Sequence, residues 1–196
     1  MGSEMCIRDR GSGRPHSKSG RVIGVEVGRD IYAADHVILA AGVKSFIIAS
    51  EFGIDVPIYG DTGFALNFVK PEGVCLPDIP LMHASSRSAF TVFSHRVRLS
   101  GTMREDNAEA LRDIWEGIAP NLMRSLGEPI GKPWRGVRPM SLAGRPYIGE
   151  TTLSGLWVNS GHGHMGWTLC MGSGELMANM IMRGSQDPRF ALPQSS

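Results

Sequence analysis

Gly155-Leu156-Trp157-Val158-Asn159-Ser160-Gly161-His162-Gly163-His164-Met165-Gly166-Trp167-Thr168-Leu169 reads as a short apolar strand that passes through glycines into a helix. Trp157-Val158 is the strand, and residues 167–182 carry the apolar spacing of a buried helix. The glycines permit dihedrals closed to other residues and leave no Cβ in the way, so backbone here can come close to another group. The helix emerges N-terminus first from that loop. Its unpaired N–H groups and roughly half a positive charge suit an anion, a phosphate or a ring that becomes anionic. A tight strand-to-helix turn that serves packing alone is the competing reading, because glycine-rich turns before helices are common.

Upstream, residues 21–28 place Ile23, Val25 and Val27 on one face, turn at Gly28-Arg29-Asp30 and return through Ile31-Tyr32-Ala33, a β-hairpin signal. His36-Val37-Ile38-Leu39-Ala40-Ala41-Gly42 is a continuous apolar run ending in small residues, the pattern of a strand buried on both faces of a parallel sheet. Its Ala-Ala-Gly end lets a backbone or a flat ligand approach, as dinucleotide folds require at the carboxyl ends of their strands. Residues 43–52 read as a short helix. From Val56 the character changes: residues 58–69, 81–83, 89–93 and 96–101 are short strands between turn residues, which predicts an antiparallel sheet. Asp106 with Glu109 three residues on forms a capping-box pattern, and Leu111, Ile114, Trp115 and Ile118 make one apolar stripe of core residues. Pro120 restarts a helical turn that Gly127 ends. Residues 129–148 are irregular or strand-like.

The 196 residues are 42% apolar, enough for a core in one domain or one and a half, and read as soluble and globular. Twenty basic and nineteen acidic residues nearly cancel, so charge offers no preference for nucleic acid or an acidic membrane surface. The longest apolar runs fall far short of a bilayer span, so no integral membrane segment is expected. Cys6, Cys75 and Cys170 are odd in number, widely spaced and without a CxxC pair, which argues for reduced thiols in a cytoplasmic setting. Residues 1–20 are rich in Gly, Ser, Arg and Lys without an apolar period, and Met5-Cys6-Ile7-Arg8-Asp9-Arg10 resembles a translated sequencing-adapter scar. Residues 1–19 are therefore expected to be a disordered or non-native leader.

Three segments together resemble one family. They are Trp134-Arg135-Gly136-Val137-Arg138-Pro139-Met140, Gly144-x-Pro146-x-Ile148-Gly149, and Gly161-His162-Gly163-His164-Met165-Gly166-Trp167-Thr168. Their order and spacing resemble the C-terminal half of the FAD-dependent D-amino acid oxidoreductases, the bacterial D-amino acid dehydrogenase small subunits above all. Glycine and sarcosine oxidases are relatives. The resemblance covers residues from about 20 to 184. It implies an α+β fold: a partial FAD-binding, Rossmann-like domain plus an antiparallel-sheet substrate domain. Residues 20–55 would be the late part of the FAD-binding domain, 56–135 the substrate domain, 136–184 the return to the FAD-binding domain with its C-terminal helix, and 185–196 a polar tail. The family's N-terminal G-x-G-x-x-G loop has no counterpart, since Gly11-Ser12-Gly13-Arg14-Pro15-His16 lacks the third glycine and follows no strand. The chain is thus expected to be a C-terminal fragment that holds FAD poorly as it stands. The segment Gly60-Asp61-Thr62-Gly63-Phe64 also departs from the family, which often has a lysine before the glycine.

The resemblance implies that Arg138 binds the substrate carboxylate. A guanidinium suits that role, since it offers a planar fork of donors and stays charged when desolvated. An arginine in a structural ion pair is the alternative. The glycine loop would cover the flavin ring, with Gly161, Gly163 and Gly166 allowing close approach and Met165, Gly166, Trp167 and Thr168 supplying contacts. Ala41 and Gly42 would add to the cofactor site. A helix N-terminus there would stabilise the reduced, anionic ring by ~1–2 kcal/mol. His164 is expected to shape the substrate pocket and His162 to be a local hydrogen-bonding residue. No third ligand at useful spacing joins them, so no metal site is expected. His83 and the Ser94-His95 pair are expected in surface or turn roles, and Phe90 and Phe93 in core packing, with a place lining the substrate side of the pocket as the alternative. The implied reaction passes a hydride from Cα to flavin N5, after which the imino acid hydrolyses, and no general base stands out. The amino-acid substrate is a small molecule and the electron acceptor is left open. The dehydrogenase branch adds a peripheral place at the inner membrane to the cytoplasmic reading. A glycine, sarcosine or proline-type secondary amine oxidase, and a non-catalytic flavoprotein-like subunit or interaction module, are the alternative functions.

Overall fold

The computed structural model describes residues 13–102 and 108–193. Contacts divide the chain into two units, one of residues 1–59 and 139–196 and the other of residues 60–138. The hexapeptide at residues 5–10, Cys6 and the capping residue Asp106 lie outside the described residues.

In the first unit, Gly13–Lys18 (β1), Arg21–Val27 (β2) and Asp30–Ala33 (β3) form an antiparallel three-stranded sheet in the order β1-β2-β3. The hairpin between β2 and β3 follows the expected turn, with Gly28 at a φ of 65°. β1 corrects the expected leader, because residues 13–18 are ordered against β2 from Gly13↔Val27 to Lys18↔Arg21. Such an edge strand is held by its ladder of backbone hydrogen bonds and needs little apolar patterning of its own. On β2 it is Val22, not the Ile23 face, that is fully buried.

A second sheet of this unit has the order Tyr147–Glu150 (β10), Leu156–Ser160 (β11), Val37–Leu39 (β4). β11 and β4 are parallel, with Leu156↔Val37, Trp157↔Ile38 and Val158↔Leu39. Period-two alternation sends Leu156 and Val158 into a core with Val22, Leu39, Val56 and Tyr147. Trp157 points the other way, joining Ile148 with Met177 and Met180 of the helix Gly166–Arg183 (α4). The sheet is thus covered on both faces along β11. β4 is not: Ile38 is 44% exposed, so the expected burial on both faces holds on one face alone among the described residues. Lys44–Ser50 (α1) follows β4. Residues 185–193, expected as tail, fold back, and the Phe190 carbonyl accepts the Ile148 N–H at 2.9 Å.

The second unit carries the expected antiparallel pairing. Leu81–His83 (β6), Ser88–Val92 (β7), Arg96–Thr102 (β8), Ile58–Val69 (β5) and Trp134–Ser141 (β9) make a sheet in the order β6-β7-β8-β5-β9. β5 and β9 continue into the first unit at their far ends. One face packs Phe64, Leu66, Phe68, Phe90, Val97 and Leu99 against Leu111 and Trp115 of Ala110–Ile118 (α2) and Met123 of Pro120–Ser125 (α3). Pro120 sits at the start of α3, where its missing N–H costs no hydrogen bond. Of the predicted α2 stripe, Leu111 and Trp115 are buried while Ile118 is exposed.

Candidate functional site

The carboxyl ends of the parallel strands β4 and β11 each run into a small-residue loop and then a helix. Ligands in open α/β sheets sit outside such strand ends. Ala41-Gly42 follows β4, and the Gly42 carbonyl accepts the Ser160 hydroxyl at 3.0 Å, so the two loops are tied together. Gly161 has a φ of 88°, and a Cβ there would stand 3.0 Å from the Ser141 Cβ. Gly163 has a φ of 58°, and a Cβ would stand 2.9 Å from the Met140 sulfur. Both positions therefore disfavour a side chain by dihedral; at Gly161 the Ser141 Cβ would also have to yield slightly, and at Gly163 the flexible Met140 side chain would have to move. Gly161→Ala is expected to lower stability by about 1–3 kcal/mol, read as a shift of the urea midpoint with unchanged m-value.

Gly163–Met165 forms a single 3-10 turn and α4 starts at Gly166. No side chain caps the start of α4. Met165 and Thr168 are exposed and Trp167 is 92% exposed; only Ser173, Met177 and Met180 of α4 are buried. The expected buried helix is thus buried only from Ser173 onward. Apolar spacing predicts a stripe but not what covers it.

Two polar atoms at this loop are buried and unpartnered: Asn159 Oδ1 and His162 Nε2. The local hydrogen bond expected of His162 is made by its backbone, whose carbonyl accepts the Met165 N–H at 3.1 Å, while ring Nε2 has no partner. Burial holds the His162 imidazole below the ordinary histidine range. Its folded pKa is lowered, so the unfolded chain takes up the proton first as pH falls. Stability is therefore expected to drop as pH falls below the ordinary histidine pKa of about 6.5, and that part of the drop should vanish in His162→Gln when denaturation midpoints are compared. His164 is exposed in the 3-10 turn. Asn159 is a residue that sequence reasoning misses; its place at the last rungs of β11, just before the glycines, is the available signal.

Arg138 lies in the other unit, near the end of β9. Its guanidinium lies over Gly63 of β5, where a Cβ would collide with Nη1 and stand 2.5 Å from Cζ and Nη2. Nη1 donates to the Thr102 hydroxyl at 3.1 Å, and that hydroxyl donates to Asp61 Oδ2 at 3.3 Å. Among the described residues Arg138 makes no ion pair, so the structural ion pair weighed for it is not there. Gly63, Thr102 and Asp61 escape sequence reasoning because their link to Arg138 depends on strand order.

His83, expected in a turn role, closes the β6–β7 hairpin through Ser86 at 2.8 Å, and Phe90 is in the core as expected. Phe93 is instead exposed and has Arg96 over its ring at 5.1 Å. No group of three His, Cys, Asp or Glu side chains that could hold a metal occurs among the described residues. No helix among them is long and apolar enough to cross a membrane.

The first unit carries a parallel strand pair with small-residue loops at its carboxyl ends, and the second an antiparallel sheet bearing Arg138. The family described as DAO, FAD dependent oxidoreductase, matches residues 12–180, and the chain belongs to it. The D-amino acid dehydrogenase of Vibrio cholerae is 32% identical over 170 residues, 84% of this chain and 40% of that protein. Among solved structures, iminodiacetate oxidase from Chelativorans sp. BNC1 has a TM-score of 0.77 at 22% identity, covering 94% of this chain and 54% of that one. Glycine oxidase from Geobacillus kaustophilus has a TM-score of 0.75 at 19% identity, covering 93% and 51%. The chain spans about 40% of the length of the curated relatives it matches.

Proposed function

We propose that this chain serves the FAD-dependent oxidation of D-amino acids, with Arg138 binding the substrate carboxylate. The observation that carries the reading is a half-buried guanidinium whose charge no carboxylate takes among the described residues. Such a group is satisfied best by a planar anion from outside. The names of the curated relatives support the D-amino acid class.

Three features of the glycine loop support a flavin ring there: side-chain-free backbone at Gly161 and Gly163, an α4 N-terminus that no side chain caps, and two orphaned polar atoms. Ala41, Gly42, Met165, Gly166, Trp167 and Thr168 complete the assigned cofactor residues, and His164 the substrate pocket. FAD, when bound, supplies the acceptor for the hydride leaving Cα, and the imino acid product then hydrolyses in water. The α4 N-terminus favours negative charge placed against it. Arg138 orients the amino acid by its carboxylate, so that positioning carries the work required of this chain. The exposed free thiols Cys75 and Cys170 support a reducing, cytoplasmic setting.

The test joins this chain to a βαβ segment bearing a G-x-G-x-x-G loop, loads FAD, and follows flavin absorbance without oxygen. Bleaching by D-alanine and not by L-alanine is the expected result. Bleaching by sarcosine in preference to D-alanine would replace the reading by a secondary amine oxidase, and retained flavin that neither substrate bleaches would leave a non-catalytic flavoprotein.

A further inference from the structure

Arg138 reaches across a whole strand to make its one hydrogen bond among the described residues. The sheet order places β8, β5 and β9 side by side, with Thr102 on β8, Gly63 on β5 and Arg138 on β9. Gly63 is paired with Thr102 in the antiparallel register. Neighbouring strands lie about 4.8 Å apart, so a side chain that runs from β9 to β8 must cross the middle strand over a residue without Cβ. Gly63 is that residue, and the guanidinium lies where its Cβ would be. The opposite face of β8 sends Val97 and Leu99 into the core, which leaves Thr102 on the face that Arg138 occupies.

The direction of the bonds is fixed by proton count. A hydroxyl has one proton; Thr102 accepts from Arg138 Nη1, so its own proton goes to Asp61 Oδ2. The acid and the guanidinium are therefore linked through a hydroxyl and do not touch. Had Asp61 paired with Arg138 directly, its carboxylate would compete with any incoming one. With Thr102 between them, Nη1 is anchored while Nε and Nη2 have no partner among the described residues.

We infer that Thr102 is a positioning residue for carboxylate binding: held by Asp61, it pins the Arg138 guanidinium over Gly63 with the Nε–Nη2 edge open, and keeps the acid from neutralising it. The inference rests on the reading of Arg138 as the carboxylate-binding residue. Without the Thr102 hydroxyl, the arginine must be immobilised anew each time an anion binds, a loss of about tenfold in affinity.

The test titrates the full chain with benzoate as carboxylate probe, by calorimetry and by the Arg138 Nε–Hε resonance, in wild type, Thr102→Val, Thr102→Ser and Arg138→Ala. The expected result is benzoate binding abolished in Arg138→Ala, weakened about tenfold in Thr102→Val with a shifted Nε–Hε resonance, and restored to within about twofold in Thr102→Ser. Thr102→Ser keeps the hydroxyl and separates positioning from a general loss of fold. Wild-type affinity in Thr102→Val with loss in Arg138→Ala overturns the positioning role and leaves the carboxylate reading standing. Binding that is absent in wild type, or unchanged in Arg138→Ala, overturns that reading and the inference with it.

Discussion

On the proposed function, Arg138→Ala is expected to raise the KM for D-alanine by about 100-fold in the flavin-loaded fusion with the βαβ segment, with a much smaller fall in kcat. The magnitude follows from what is removed: truncating one partner of a desolvated, hydrogen-bonded charge pair costs about 2–5 kcal/mol, and 1.4 kcal/mol is a factor of ten. The split between KM and kcat follows from the role, since a group that holds the carboxylate equally in ground and transition states contributes uniform binding. Arg138→Lys recovers little of this. An ammonium keeps the charge but cannot extend from β9 over Gly63 to the Thr102 hydroxyl and still offer a second pair of donors in one plane. Steady-state kinetics of the three proteins decide the matter; an unchanged KM in Arg138→Ala would return the arginine to a structural role.

Trp115→Ala lowers the stability of the second unit by about 3–5 kcal/mol, the range for truncating a large buried aromatic residue. Trp115 is 2% exposed in the core formed by β5, β7, β8, α2 and α3, and its ring lies 5.5 Å from that of Phe90. Its indole N–H donates to the Ser88 hydroxyl at 3.0 Å, and Ser88 pairs with Ser86 at 2.7 Å, which pairs with His83 Nδ1 at 2.8 Å. The substitution thus opens a cavity and strips a partner from a buried hydroxyl at once. Trp115→Phe refills most of the volume and leaves Ser88 short of one donor, so it is expected to lose about 1–3 kcal/mol. Urea unfolding of the two variants separates the packing loss from the hydrogen-bond loss.

Much of this architecture is legible in the chain because its signals are local. β5 and β6 fall where alternation and turn residues put them, and the glycine loop lies between the strand and helix read from its sequence. What stays hidden depends on neighbours distant in sequence. β1 carries almost no apolar pattern and exists because β2 offers it a ladder. The exposed start of α4, with Trp167, Leu169 and Met171, has the same apolar residues as a buried helix, and composition cannot tell the two apart. A motif points to Arg138 but not to its environment, since Gly63 and Thr102 meet it only once β8, β5 and β9 are laid side by side. The role of a glycine as a seat for another residue's side chain is written in the sheet order, not in the glycine's own flanks.

The four tryptophans are divided with a symmetry that makes the chain its own optical instrument. Each unit has one buried and one exposed indole: Trp157 at 3% and Trp167 at 92% in the first, Trp115 at 2% and Trp134 at 57% in the second. Buried indoles emit to the blue and resist iodide; exposed ones emit to the red and are quenched. Two single-tryptophan proteins, retaining Trp157 or Trp115, would follow the melting of either unit by emission wavelength alone. A third, retaining Trp167, carries its fluorophore at the exposed start of α4, where, on the proposed cofactor reading, a flavin that absorbs in the same region as the indole emits would darken it.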